Sequence, residues 1–97
     1  MKEFHLERYD GFFEAICRLS RVEDCRRFFE DICTIKELQS MAQRLEVASM
    51  LKDGIVYTDI VSKIGASTAT ISRVNNALTY GEGGYETVLS KMSEKKK

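Results

Sequence analysis

The sequence predicts an all-α fold of about six helices, two of them joined as a helix-turn-helix, and three observations predict it. The 97 residues contain no proline and are 43% hydrophobic, a composition that lets helices run uninterrupted and suits one soluble domain. Apolar side chains recur at i, i+3, i+4 and i+7, the spacing of one helical face. Glycine or Asp-Gly stands where two of these runs stop, at Asp53-Gly54 and Gly65.

From the N-terminus, Tyr9, Phe12, Phe13, Ile16 and Leu19 define an amphipathic helix from about Arg8 to Leu19, which Ser20 breaks. Val22, Cys25, Phe28, Phe29 and Ile32 define a second. Four of the five phenylalanines lie on these two short helices. That is more ring surface than two helices can bury against each other, so the surplus is expected to pack on a second copy of the chain. A chain this short also buries a modest fraction of its surface alone.

A third helix is expected after Thr34, whose hydroxyl and Glu37, three residues on, make a capping box. Leu38, Met41, Leu45, Ala48 and Leu51 form its inward face, and Asp53-Gly54 stops it. Residues 8–56 are thus expected to be the dimerisation core of a single domain spanning 1–97. Ile60, Val61 and Ile64 lie on one face of a two-turn helix that Gly65 ends by reversing the chain. Val61 stands where such units usually carry alanine, which predicts a slightly wider helix separation. Ser67 is the expected N-cap of the next helix, which runs to about Leu78 with Ile71, Val74 and Leu78 inward, so that residues 57–78 make the helix-turn-helix. After a joint at Tyr80 to Gly84, a C-terminal helix is expected over 85–93 and a flexible tail over 94–97.

The outward face of that capped helix carries the chemistry. Ser67, Thr68, Ala69, Ser72, Arg73 and Asn76 lie on it, a set of small and hydroxylated side chains with one guanidinium and one amide. Small residues in the first turn let a helix backbone approach base edges, and its free N–H groups and dipole favour phosphate. Arginine pairs with guanine and asparagine with adenine in the major groove, and a methyl of threonine or alanine meets that of thymine. Lys63 and Thr70 complete the expected DNA-binding set of Lys63, Ser67, Thr68, Ala69, Thr70, Ser72, Arg73 and Asn76. The competing reading is a generic helical corner, because serine and threonine also decorate any solvated helix.

Charge sharpens this picture. The formal net charge is zero, which excludes a protein that holds nucleic acid by bulk charge alone. Residues 1–33 hold six basic and eight acidic side chains, and residues 57–97 six basic and four acidic. The mild basic excess at the DNA-facing end implies modest nonspecific affinity and reliance on two half-site contacts by a dimer.

Cys17, Cys25 and Cys33 match no zinc-ligand spacing, and the one histidine, His5, stands near the terminus, so neither metal nor cofactor is expected. Three small apolar side chains in a reducing compartment is the simpler reading. No carboxylate pair, activated serine or phosphate-cradling loop appears, and Gly81, Gly83 and Gly84 follow a helix rather than a strand, so no enzyme is expected. Neither an apolar span nor a secretory core is present, which implies a cytoplasmic protein without membrane contact.

The run ELQSMAQRLEVASMLKDG, followed by IGASTATISRVNNALTYGEGGY, resembles the bacterial Trp repressor superfamily, and within it the small Trp-repressor-like YerC/YecD proteins. FFEDICTIKELQSMAQRLEVA shares the likeness, and GASTATISR is its most specific segment. The resemblance implies an intertwined all-helical homodimer whose two reading heads stand about one DNA turn apart, acting as a transcriptional repressor on a palindromic operator in double-stranded DNA.

It also implies an effector pocket, in which tryptophan is held between two arginines that fall on Arg44 and Arg73, with a threonine at Thr34. Two positions depart from that pattern. The serine that bonds the amino acid's ammonium group is Ala77 here, a loss of about 1.5–3 kcal/mol, or roughly ten- to a hundredfold in affinity. The glycine after the second arginine is Val74, whose branched side chain stands beside the place of the indole. Both argue against tryptophan as ligand.

Two explanations of the arginines then stay open. In one, Arg73 meets a phosphate or base while Arg44 pairs with Glu37 or with an acid of the other subunit; in the other, they flank a different small anion or aromatic metabolite. The function likewise has a leading reading, a repressor not gated by tryptophan, and two alternatives: a protein-interaction module that keeps the repressor fold, or a repressor gated by a different small metabolite.

Overall fold

The computed structural model of the chain describes residues 6–95. His5 and residues 96–97 of the expected tail therefore lie outside the described residues, whereas Glu94 and Lys95, also expected in that tail, continue the last helix. Among those described there are six α-helices and a short 3-10 segment, Leu6–Tyr9, and no strand. The chain divides into two compact units, one reaching to Leu38 and one starting at Gln39.

In the first unit, α1 is Asp10–Cys17 and α2 is Val22–Ile32. α1 is shorter at both ends than its apolar periodicity predicts. It is preceded by the tighter 3-10 segment, and its last turn closes with i→i−3 bonds, Arg18 N–H to the Ala15 carbonyl at 3.2 Å and Leu19 N–H to that of Ile16 at 3.1 Å. α2 has the expected limits. Glu23 and Asp24 in its first turn complement the helix dipole, and Arg27 donates to the Asp24 carboxylate at 2.6 Å. Phe12 stacks obliquely on Phe28, ring centroids 6.3 Å apart, and Phe28 meets Phe29 edge-on at 5.5 Å. No residue from Glu7 to Leu38 is fully buried.

α3, Ile35–Lys52, begins with the expected reciprocal cap. The Glu37 N–H donates to Thr34 Oγ1 at 3.1 Å, and the Thr34 N–H donates to Glu37 Oε1 at 2.8 Å. It ends in a Schellman closure, with the Gly54 N–H on the Leu51 carbonyl and the Ile55 N–H on that of Met50, both at 3.0 Å.

The core of the second unit comprises Val47, Ala48, Ile60, Ala66, Ile71 and Val74, every one essentially sealed from solvent. Met50, Leu51, Ile55, Tyr57, Ile64, Leu78, Tyr85 and Leu89 surround it. Thus α3 supplies one wall, α4 (Tyr57–Ile64) and α5 (Thr68–Tyr80) the opposing corner, and α6 (Gly84–Lys95) contributes Tyr85 and Leu89. Val47 is absent from the expected inward stripe of α3, whereas Met41, included there, is 41% exposed. The buried stripe is rotated toward Val47 because this half of the helix faces the α4–α5 corner. Val61 is also not enclosed: it is 36% exposed, so its extra methyls reach solvent, and nothing in its burial supports a widened helix pair.

Candidate nucleic-acid interface

The α4–α5 corner is built by three local devices. α4 stops at Gly65, where φ is 82° and ψ 12°, a left-handed conformation that costs an L side chain about 1–2 kcal/mol. Ala66 turns inward and is 2% exposed, which anchors the turn to the core. Ser67 then caps α5. Its Oγ accepts the Thr70 N–H at 3.1 Å and donates to Thr70 Oγ1, also at 3.1 Å. Ile71 and Val74, fully buried, fix the rotation of α5 about its axis.

That rotation decides what α5 presents. At about 100° per residue, Ala69, Ser72, Arg73 and Asn76 fall within one stripe roughly 100° wide, opposite Ile71, Val74 and Leu78. All four are exposed, as are Ser67 and Thr68 in the opening turn and Lys63 in the last turn of α4. Among the described residues, Lys63, Arg73 and Asn76 make no ion pair or side-chain hydrogen bond, so their donors stand free. Thr70 differs from the rest of the predicted set. It is half-buried, and its hydroxyl is held by the Ser67 cap.

Between Tyr57 and Tyr80 there is one acid, Asp59, against two bases, Lys63 and Arg73, and that acid lies on α4 and not on α5. The stripe is therefore weakly positive, hydroxylated and small toward its N-terminal end. Such a surface can approach a polyanion closely and offer a fork of guanidinium donors at one fixed place.

Periodicity stops the helix at about Leu78, but α5 runs on to Tyr80. Gly81 ends it: its N–H closes on the Ala77 carbonyl at 2.9 Å, and a Cβ there would lie 2.4 Å from that same oxygen. Tyr80, 83% exposed, belongs to the outward stripe and is absent from the predicted set. The signal that could have found it is the absence of any breaker before Gly81.

The three residues assigned to an effector pocket are distributed over the chain. Thr34 belongs to the first unit, where its hydroxyl is occupied by the α3 cap; half-buried Arg44 and exposed Arg73 belong to the second. Glu37, one expected partner of Arg44, instead gives its carboxylate to the Thr34 N–H, and no ion pair of Arg44 occurs among the described residues. Val74 points into the core, so its side chain fills space that a glycine would leave open.

Cys17 is exposed and Cys25 and Cys33 half-buried, all as free thiols, and no group of three or more metal-ligating side chains is found among the described residues. No helix of the described residues is long and apolar enough to cross a membrane.

A family model described as Trp repressor protein matches residues 7–93. The uncharacterized protein YerC of Bacillus subtilis (strain 168) is 53% identical over 85 residues, covering 88% of this chain and 82% of that one. A Trp operon repressor homolog of Chlamydia caviae is 30% identical over 88 residues, 90% of this chain and 87% of its own. Among solved structures, a candidate Trp repressor from Staphylococcus aureus superposes with a TM-score of 0.86 at 43% identity, covering 94% of this chain and 96% of that one. A TrpR-like protein from Eubacterium eligens gives 0.85 at 47% identity, with 90% of each chain covered.

Proposed function

The chain belongs to the Trp repressor family, and from that premise we propose that it is a sequence-specific, DNA-binding transcription regulator acting as a cytoplasmic homodimer. The observation that carries this reading is the outward stripe of α5: exposed, free of internal pairing and set at a fixed rotation by a glycine corner, a serine cap and two sealed core residues. Residues 57–80 then act as a helix-turn-helix reading head, with Thr68, Ala69 and Ser72 nearest the bases. Arg73 and Asn76 are the polar readers, and Lys63 meets phosphate. Residues 8–56 supply the dimerisation core, and α6, Gly84–Lys95, is the C-terminal helix of the chain's described part. The regulator is a repressor that occupies a palindromic operator, one half-site per head.

Tryptophan does not gate it in this reading. Burial of Val74 and the half-buried Ala77, which has no hydroxyl to offer an ammonium group, support that conclusion. Arg44, half-buried and without an ion pair among the described residues, is available to an acid of the partner subunit or to a different small anion.

Selection of bound duplexes from a random pool, with and without a metabolite mixture, tests the proposal. A palindromic consensus is the expected result, and its change on adding metabolites would reveal gating. In titrations on the selected duplex, Arg73→Ala is expected to lose about 1–3 kcal/mol and to relax base preference, whereas Lys63→Ala weakens all sequences alike and flattens the salt dependence.

Zero net charge favours a second reading, a protein-interaction module that keeps this fold. Gel shifts at low salt separate the two. A DNA reader gives a band that fades steeply as salt rises, and an adaptor gives none.

A further inference from the structure

We propose that Tyr80 is a further DNA contact, its phenol hydroxyl donating to a backbone phosphate that flanks the groove entered by the first turns of α5. This rests on the DNA-reading function proposed above and extends it to a residue outside the predicted interface. Three observations carry it.

First comes register: Tyr80 lies eleven residues after Ala69, seven after Arg73 and four after Asn76, which at about 100° per residue puts it in the middle of the same outward stripe. Second, Tyr80 is 83% exposed, and among the described residues its hydroxyl has no hydrogen-bond partner. Third, it is held in place. It is the last residue of α5, and the closure of Gly81 on the Ala77 carbonyl secures the turn that carries it.

Distance then decides what it touches. With a rise of about 1.5 Å per residue, Tyr80 stands roughly 16 Å along the axis from Ala69, whereas the major groove is about 12 Å wide. A helix set across the groove with its N-terminal turns on base edges therefore carries Tyr80, its thirteenth residue, beyond the groove and over the sugar-phosphate wall. Tyrosine suits that place. Its ring lies against sugar, and its hydroxyl is a neutral donor to phosphate that carries no sequence information.

The test uses the full chain with Tyr80→Phe and Tyr80→Ala, titrated by fluorescence anisotropy at one fixed salt concentration against a selected duplex and a scrambled duplex of equal length. Tyr80→Phe should weaken binding to both about three- to tenfold and leave the preference between them unchanged, unlike Arg73→Ala. Replacing single phosphates by methylphosphonates should identify one position per half-site where wild type falls to the level of Tyr80→Phe and the variant loses nothing more. Tyr80→Phe binding both duplexes as wild type does would overturn the assignment, as would a loss confined to the selected duplex. Dissociation of the Tyr80→Ala dimer in sedimentation would also overturn it, since the partner subunit would then be what covers the ring. Wild type binding no duplex at low salt would remove the DNA-reading function and this contact together, an outcome distinct from wild-type binding that Tyr80→Phe leaves unaltered.

Discussion

Ser67 shows how one side chain can serve both stability and recognition. Its Oγ satisfies the Thr70 N–H and holds the Thr70 hydroxyl, yet the residue is exposed at the tip of the proposed reading head. Ser67→Ala should cost about 1 kcal/mol in urea unfolding by freeing that N–H. Ser67→Asp should restore most of this, because a carboxylate caps as well as a hydroxyl. The same carboxylate faces the place where phosphate is expected, so Ser67→Asp should recover stability while weakening duplex binding. If Ser67→Asp binds duplex as wild type does, this end of α5 is not near phosphate. Ser67, Gly65 and the Thr34–Glu37 pair are all legible in the sequence, since each acts within three residues of itself. Val47 is not legible in this way. It lies four residues before Leu51 as Ala48 lies three before it, so spacing admits either residue, and only the direction from which the α4–α5 corner arrives makes Val47 core.

At the scale of elements, the limits of α2 and the start of α3 follow from local chemistry, whereas α1 is shorter and α5 longer than their apolar periods. Periodicity marks where a helix has something to bury. It does not mark where the backbone stops, which in α5 is decided by the Gly81 closure three residues past Leu78. Ile71, the sealed residue that aims this helix, gives a direct measure of the packing: Ile71→Ala should destabilise by about 2–5 kcal/mol in denaturant unfolding, with the loss depending on how far the corner collapses.

α3 and α6 are tied by Lys52 and Glu86, 3.0 Å apart, a base in the last turn of one helix and an acid in the first turn of the other, each complementing its own dipole. The hydrogen bond and the charge of Lys52 hold the Glu86 carboxyl below its ordinary value of 4.5, with a smaller contribution from Ser90. A carboxyl depressed by folding adds stability that is complete above its unfolded value and vanishes as pH falls through its folded value. The melting-temperature gap between wild type and Glu86→Gln should therefore be small but present at neutral pH, and should close on acidification below 4.5. A gap that stays constant into acid would mean the ion pair contributes nothing to the folded state.

For the whole molecule, the distribution of buried surface is the feature to explain. Among the described residues every sealed side chain belongs to the unit beginning at Gln39, while none on the aromatic N-terminal helices is sealed, Phe12 and Phe13 remaining 43% and 45% exposed. Phe12 is in ring contact with both Phe13 and Phe28, and in the proposed homodimer the remaining apolar faces of these rings pack on the second chain. The proposed homodimer makes this quantitative through mass action. The melting temperature should rise with protein concentration, and Phe12→Asp or Phe28→Asp should shift sedimentation toward monomer and lower the melting temperature together. Duplex binding should fall with the dimer even though both substitutions lie far in sequence from α5, because an isolated head keeps one half-site of contacts and loses the pairing of the two. A monomer of wild-type stability whose melting is independent of concentration, still binding a palindromic duplex with undiminished affinity, would show that the aromatic helices serve something other than bringing two reading heads to one operator.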